Sequence, residues 1–237
     1  MKYAIMAKKR VQPSPGAIGI CQCCGSALIA KCGAQKVWHW AHKSKKHCDH
    51  WWENETNWHR DWKNCFPKDW QEIVHYAEDG EKHIADVKTP DGLVMEFQHS
   101  KLHPNERIER ERFYENMIWV VDGLRLKSDI KKFQRAPTFT HLKYPVLLSE
   151  CVPLSIFPSF WDWSTSSKPV FFDWGNSLFC FLPGFEPSEN KYGPRSRLMF
   201  ALNRDQFMRI CERAALFNFN FEQALRTEPN FEYRRIS

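Results

Sequence analysis

Asp86-Val87-Lys88-Thr89-Pro90-Asp91-Gly92-Leu93-Val94-Met95-Glu96-Phe97-Gln98 reads as a β-hairpin carrying two carboxylates on one face. Thr89-Pro90-Asp91-Gly92 has the chemistry of a type I turn followed by a left-handed glycine, the three-residue loop that closes a hairpin with a G1 bulge. In that register Thr89 faces Leu93. Counting back along both strands places Asp86 opposite Glu96, with Cβ atoms about 5 Å apart. Like charges so placed repel, and a divalent cation held between them turns the repulsion into a binding site. Gln98, two residues past Glu96, shares its face. A one-residue slip would separate the pair and leave an ordinary solvated hairpin face.

Upstream, Trp51 to Phe66 contains no Pro or Gly and repeats aromatics at helical spacing, which predicts an amphipathic helix. At about 100° per residue, Trp51, Trp58, Trp62 and Phe66 fall on the same stripe as Glu55. His59 lies one turn further along that stripe and Lys63 at its edge, while Glu53, Asn57, Arg60 and Asn64 take the solvated face. A carboxylate among tryptophans needs a partner, a proton or a metal. His59 at i+4 is one candidate partner, and such a pair can serve the core alone. Downstream, His103-Pro104-Asn105 breaks the strand and starts a charged helix to about Asn116, with Pro near its first turn. Ile118-Trp119-Val120-Val121 then reads as a buried strand, so strand, helix and strand form a right-handed βαβ unit. Arg107, Arg110 and Arg112 are placed to meet phosphate oxygens or to pair with Glu106, Glu109 and Glu111 on a solvated face.

At the amino terminus, Cys21-x-x-Cys24-Gly25 forms a tight knuckle and His39-x-x-His42 follows it. Four N and S donors at such spacing suit a tetrahedral structural Zn²⁺, and loops this small bury too little apolar surface to fold without one. Cys23, Cys32, His47, Cys48 and His50 are further donors within reach. Disulfides in an exported protein are the competing reading; Met1 to Arg10, short and ending in Lys8-Lys9-Arg10, does not read as a signal peptide. Met1 to His50 holds nine basic residues against one acid, Asp49, a charge of +8, which leaves −2 for the rest of a chain whose total is +6. Basic charge concentrated around the knuckle points to DNA phosphates as a partner. Trp38 and Trp40 beside His39 read as the small module's core, with base stacking as the alternative.

Taken together, these segments resemble the CoiA-like competence protein family, whose core looks like a PD-(D/E)XK, restriction-endonuclease-like nuclease domain. The resemblance rests on Glu55-Thr56-x-x-His59-x-x-x-Lys63, on His83-Ile84-Ala85-Asp86-Val87, on Glu96-Phe97-Gln98-His99-Ser100, and on Arg110-x-x-x-Tyr114 followed by Ile118-Trp119-Val120. With the Cys-rich start it spans roughly residues 18 to 123. It implies a site in which Asp86 and Glu96 hold Mg²⁺ or Mn²⁺, helped by Glu55 and the Phe97 carbonyl, with His59 in proton transfer or phosphate contact. Gln98 stands where the superfamily usually has lysine, and the CoiA-like pattern itself carries glutamine there. A glutamine orients water but brings no positive charge, so either the metal does more of the work or a neighbour such as Lys63 or Lys101 takes the role. In related sequences the run resembling His39-Trp40-Ala41-His42 is followed by a cysteine corresponding to Cys48, which adds Cys48 to Cys21, Cys24, His42 and His39 as zinc ligands.

At 237 residues the chain can hold one substantial domain and a small appendage. No apolar stretch approaches the length that crosses a bilayer, so a cytoplasmic protein with no membrane partner is expected. The expected fold is α/β, a restriction-endonuclease-like mixed sheet flanked by helices, divided into a zinc-ribbon-like module (1–50), a nuclease-like core (51–135) and an aromatic-rich α+β extension (136–237). Cys65, Cys151, Cys180 and Cys211 read as reduced core residues. In the extension, Val170 to Phe181 resembles a second hairpin turning near Gly175-Asn176, with Asp173 a turn residue. Asn203-Arg204-Asp205 begins a terminal helix lined by Ile210, Ala214, Phe217 and Phe221, with Asp205 as its cap. The expected function is metal-dependent DNA hydrolysis in competence, recombination or defence, with partners from those pathways. The alternative is a non-catalytic DNA-binding factor, and a zinc-stabilised protein-interaction module is a third reading.

Overall fold

The computed structural model describes residues 1–44, 48–135, 146–153, 158–175, 177–181 and 196–217. His47, Asn176 and Phe221 of the sequence reading lie outside them, as do the side chains of Cys151, Ala214 and Phe217. The chain divides into two compact units, Met1–Lys88 and Thr89–Ser237, so the cut falls within the stretch quoted first. The class is α/β, with antiparallel and mixed sheets and few helices.

The first unit opens with a five-stranded antiparallel sheet in the order β2-β1-β3-β4-β5. Its strands are β1 (Ala4–Met6), β2 (Lys9–Val11), β3 (Ile18–Ile20), β4 (Ala27–Lys31) and β5 (His39–His42). Ala7 and Lys8 both adopt positive φ in the two-residue link between β1 and β2, the backbone that matches strand twist in a tight hairpin. Trp40 is 1% exposed and packs with Ala4, Leu28, Cys21 and Cys23, whereas Trp38 is 46% exposed. One of the two tryptophans is therefore core and its neighbour surface.

The predicted helix is shorter than its aromatic spacing suggests, running as α1 from Asn57 to Asn64. Thr56 caps it, accepting the His59 N–H, while the His59 side chain returns to the Thr56 backbone. That reciprocal bonding starts the helix here and leaves Trp51 to Glu55 outside it. The hairpin of β6 (Gln71–Tyr76) and β7 (Lys82–Lys88) completes the unit, with Gln71 opposite Val87 and Ile73 opposite Ala85.

The second unit opens with the expected turn. Gly92 N–H donates to Thr89 O at 3.0 Å, Thr89 N–H donates to Leu93 O at 2.9 Å, and Gly92 sits at φ +95°. β8 (Val94–Gln98), α2 (Pro104–Phe113) and β9 (Met117–Asp122) form the βαβ unit, with β8 and β9 parallel and Gln98 level with Val121. Both strands are buried along their whole length, as central parallel strands are. α3 (Lys127–Arg135), β10 (Val146–Pro153), α4 (Pro158–Trp163), β11 (Val170–Asp173), β12 (Leu178–Phe181), β13 (Ser196–Leu202) and α5 (Arg204–Phe217) follow. Among the described residues, the strand order within this unit is β10-β13-β12-β11-β9-β8. β11 lies parallel to β9 and antiparallel to β12, and the predicted hairpin has Val170 opposite Phe181. Asp173 Oδ1 accepts the Gly175 N–H at 2.8 Å, the turn role expected of it. The cap of α5 is Asn203 rather than Asp205: Asn203 and Gln206 exchange side-chain to backbone hydrogen bonds of 2.8 and 2.9 Å, which fixes the helix start one turn before Phe207.

Candidate metal centre and acidic cluster

The knuckle hangs between β3 and β4. Cys21 N–H donates to Ser26 O at 2.8 Å and Gly25 N–H to Cys21 O at 2.9 Å, with Gly25 at φ +73° where a side chain would be strained. Leu28 pairs with His42, so the end of β5 arrives beside the knuckle. Donor atoms of Cys21, Cys24, His42 and Cys48 all lie within 4.8 Å of one another. Cys21 Sγ stands 3.7 Å from Cys48 Sγ, and Cys24 Sγ stands 3.4 Å from His42 Nε2. Ligands of a tetrahedral zinc with bonds of about 2.3 Å to sulfur and 2.0 Å to nitrogen are about 3.5–3.8 Å apart, so this set fits such an ion. The cluster can bind a metal such as zinc. The sulfur spacing is far beyond a disulfide bond, and the described cysteines are free thiols. His39 stands apart from the cluster, its Nδ1 2.8 Å from Val37 O. Burial raises the Cys48 thiol pKa, and its closeness to Cys21 raises it further; Cys24, despite burial, is drawn down to about 6 by hydrogen bonds from Ser26 and His42.

A second cluster surrounds Lys63. Its ammonium lies 3.0 Å from Glu55 Oε1, 3.0 Å from Glu72 Oε1 and 3.5 Å from Asp86 Oδ1. Burial alone would lower the Lys63 pKa, yet the carboxylates of Glu72, Glu55 and Asp86 outweigh it and hold the lysine charged. Burial likewise works against the charge on Glu55, but Lys63, the Met1 ammonium and Arg60 keep its carboxyl well below the ordinary range. Arg60, read as a solvated-face residue, in fact donates from Nε to Glu55 Oε1 at 2.8 Å. The reason is the late helix start: Glu55 precedes α1, so the 100° stepping does not reach it, and a side chain from the first turn can fold back over it. Glu55 Oε2 is buried without a hydrogen-bond partner. His59, expected beside Glu55, is 4% exposed and engaged in the Thr56 capping box, with Nε2 3.4 Å from Glu53.

Glu72 is the residue that sequence reasoning missed. It is 3% exposed, sits at φ +49°, and accepts from Lys2 N–H at 2.7 Å, Tyr3 N–H at 3.0 Å and Lys63 Nζ. The β6–β7 register places it across from Asp86, between the Gln71–Val87 and Ile73–Ala85 pairs. A facing pair of acids therefore exists within the first unit, on the strand before Asp86. Its only sequence signal was a glutamate next to Trp70-Gln71 at a strand start, which pattern reading assigns to solvent. Asp86 is the most open acid of this group, its side chain 24% exposed.

In the second unit Glu96 is 5% exposed and its Oε2 lies 3.2 Å from Arg110 NH1. Arg110, expected to meet DNA phosphates, is itself 5% exposed, also pairs with Glu106, and stands over the Trp119 ring. Gln98 Nε2 donates to Ser100 O at 3.1 Å. Lys101 is exposed on the following loop. The helix read as a solvated charged face is partly a buried one. Arg107 NH1 bonds Glu111 at 2.6 Å, and Glu111 also accepts from Ser166, Ser167 and Trp119. Such saturation lets an ion pair sit in the core. No helix among the described residues is long and apolar enough to cross a membrane. No protein-family model, curated protein or solved structure matches this chain.

Proposed function

We propose that this protein is a metal-dependent nuclease of the restriction-endonuclease-like class, hydrolysing phosphodiester bonds in DNA with Mg²⁺ or Mn²⁺. The observation that carries the reading is the buried Lys63 ammonium held by Glu55, Glu72 and Asp86. Gln98 brings no charge, and Lys63 is a fixed cation beside the aspartate to which the reading gives the metal. The donor set suits a hard cation: Asp86 is half-exposed, and Glu55 Oε2 accepts no hydrogen bond, its near cation being the Met1 ammonium at 3.9 Å. When bound there, the metal would lower the pKa of a water and offset charge on the phosphate under attack. Asp86 and Glu55 would hold it. Glu72 keeps Lys63 charged and in place, and Lys63 faces the scissile phosphate. His59 completes the Thr56 capping box that sets α1, and through α1 it positions Lys63. The zinc cluster is structural in this reading, and the basic first fifty residues draw in the DNA. Competence, recombination and defence of the cell all use such chemistry.

One observation favours a second reading, a non-catalytic DNA-binding factor. Lys63 and Arg60 already neutralise Glu55, so part of this cluster's demand for a cation is met from within. A cleavage assay on duplex and single-stranded DNA and on RNA, with Mg²⁺ or Mn²⁺, separates the two. Cutting that disappears in Asp86→Ala and in Glu96→Ala while DNA binding persists is expected. Binding without cutting on every substrate would leave the second reading standing.

A further inference from the structure

Within the second unit a hollow opens at the carboxyl ends of the parallel strands β8 and β9, between the Ser100–Leu102 loop and the turn after Asp122, with Asp162 and Trp163 of α4 on its wall. Crevices outside the carboxyl ends of parallel strands are where α/β sheets bind ligands. Three cations line this one: Lys101, Arg107 and Arg125. Lys101 is exposed and Arg125 half-buried, and among the described residues neither has a carboxylate partner. Arg107 is 2% exposed; its two terminal nitrogens are taken by Glu111 and Thr165, but its Nε is buried with no acceptor. Glu111 and Thr165 thus fix the Arg107 guanidinium in the wall behind the two more accessible cations. The acids there do not cancel this. Asp122 is engaged by His99 Nδ1 at 2.7 Å and by Leu124 N–H at 2.9 Å, and Asp162 stands exposed on the wall.

We propose that this hollow is a phosphate-binding site, in which Lys101 and Arg125 hold one phosphate of a nucleic-acid strand, with Arg107 fixed in the wall behind them. An ammonium and a guanidinium arriving from separate loops match a tetrahedral oxyanion carrying several acceptor oxygens. The proposal rests on DNA being the substrate and adds where a phosphate other than the scissile one is held. Gln98 links the hollow to the nuclease motif, since its amide donates to the carbonyl and hydroxyl of Ser100 on the rim.

The test uses the full chain without added Mg²⁺ or Mn²⁺, with inorganic phosphate and a short oligothymidylate as probes. Binding is read by amide NMR shifts and by fluorescence anisotropy across a salt series. Both probes are expected to shift the amides of Ser100–Leu102 and Gly123–Leu126. Lys101→Ala and Arg125→Ala should each weaken oligonucleotide binding about fivefold and reduce the slope of log affinity against log salt by about 0.7. Asp162→Asn, which removes a like charge from the wall, should strengthen binding about twofold, a gain that misfolding does not produce. Arg107 stays unaltered, because its loss would strip Glu111 of a core partner. Oligonucleotide affinity unchanged in the Lys101→Ala/Arg125→Ala double variant overturns the proposal. Phosphate-induced shifts without that dependence mean an adventitious ion only, and so does the absence of oligonucleotide binding. The nuclease reading fails separately: binding with this charge dependence but no metal-dependent cutting removes the enzyme and leaves the phosphate site in place.

Discussion

Lys63 has the sharpest consequence of any single residue here, because its charge is the common partner of three acids, two of them buried with it. Lys63→Met keeps the length of the side chain and removes the ammonium, leaving Glu55 and Glu72 buried beside each other. Breaking such a group by deleting one partner costs about 3–5 kcal/mol, and a loss of that size in the urea unfolding of the first unit is expected. Glu111 gives the matching prediction in the second unit. Burial would raise its pKa, but the Ser167 N–H, the Ser166 hydroxyl and Arg107 outweigh burial and lower it. A depressed carboxyl contributes stability that is complete above its unfolded value of about 4.3 and is lost as pH falls through the folded value. The urea midpoint of this unit should therefore hold steady above about pH 5 and fall in more acid solution. Glu111→Gln should flatten that fall and lower stability by about 3 kcal/mol at neutral pH, since Arg107 then lies buried without its counter-charge. An acid limb equally steep in wild type and variant would contradict the assignment.

At the scale of elements, what could be read from the sequence was what short-range chemistry determines. Thr89-Pro90-Asp91-Gly92 specifies its own turn, Val170–Phe181 alternates about a tight bend, and Pro104 sits at the start of α2 as expected. Cys21, Cys24 and His42 come together because the knuckle is a local structure and β5 pairs with β4. Hidden from pattern were the contacts made by chain distant in sequence. Lys2 and Tyr3 supply the N–H groups that let Glu72 be buried, some seventy residues away. Ser166 and Ser167 do the same for Glu111, so a helix that reads as polar all round turns one charged side inward. Helical stepping also failed at Glu55, since a cap at Thr56 ends the periodicity one residue later. The turn is open to direct trial. A Cβ at Gly92 meets no atom within 4 Å, so Gly92→Ala isolates backbone strain at φ +95°. A loss of about 1–2 kcal/mol by chemical denaturation is expected, against less than 0.5 if the turn relaxes. Asn203→Ala, removing the α5 cap, should cost about 1 kcal/mol in the same measurement.

For the whole molecule, the division into two compact units gives metal removal a localised effect. The first unit's small sheet gathers its core around Trp40, Leu28 and two cysteines, and one of those, Cys21, belongs to the four-donor cluster that can bind a metal. So small a core has little apolar surface to hold it without a cross-link between its loops. The second unit instead buries whole strands, β8, β9 and β11, under aromatic side chains such as Trp119, Phe171 and Phe172. Elemental analysis should give about one Zn²⁺ per chain, and Cys21→Ser/Cys24→Ser should abolish it. In that double variant, hydrogen exchange is expected to lose protection across β1 to β5 while β8, β9 and β11 keep theirs. Zinc retained by the variant would move the site to other ligands. Protection lost equally in both units would mean that the metal holds the fold of the entire chain, and the zinc cluster would then be a condition for any nuclease assay rather than a local brace.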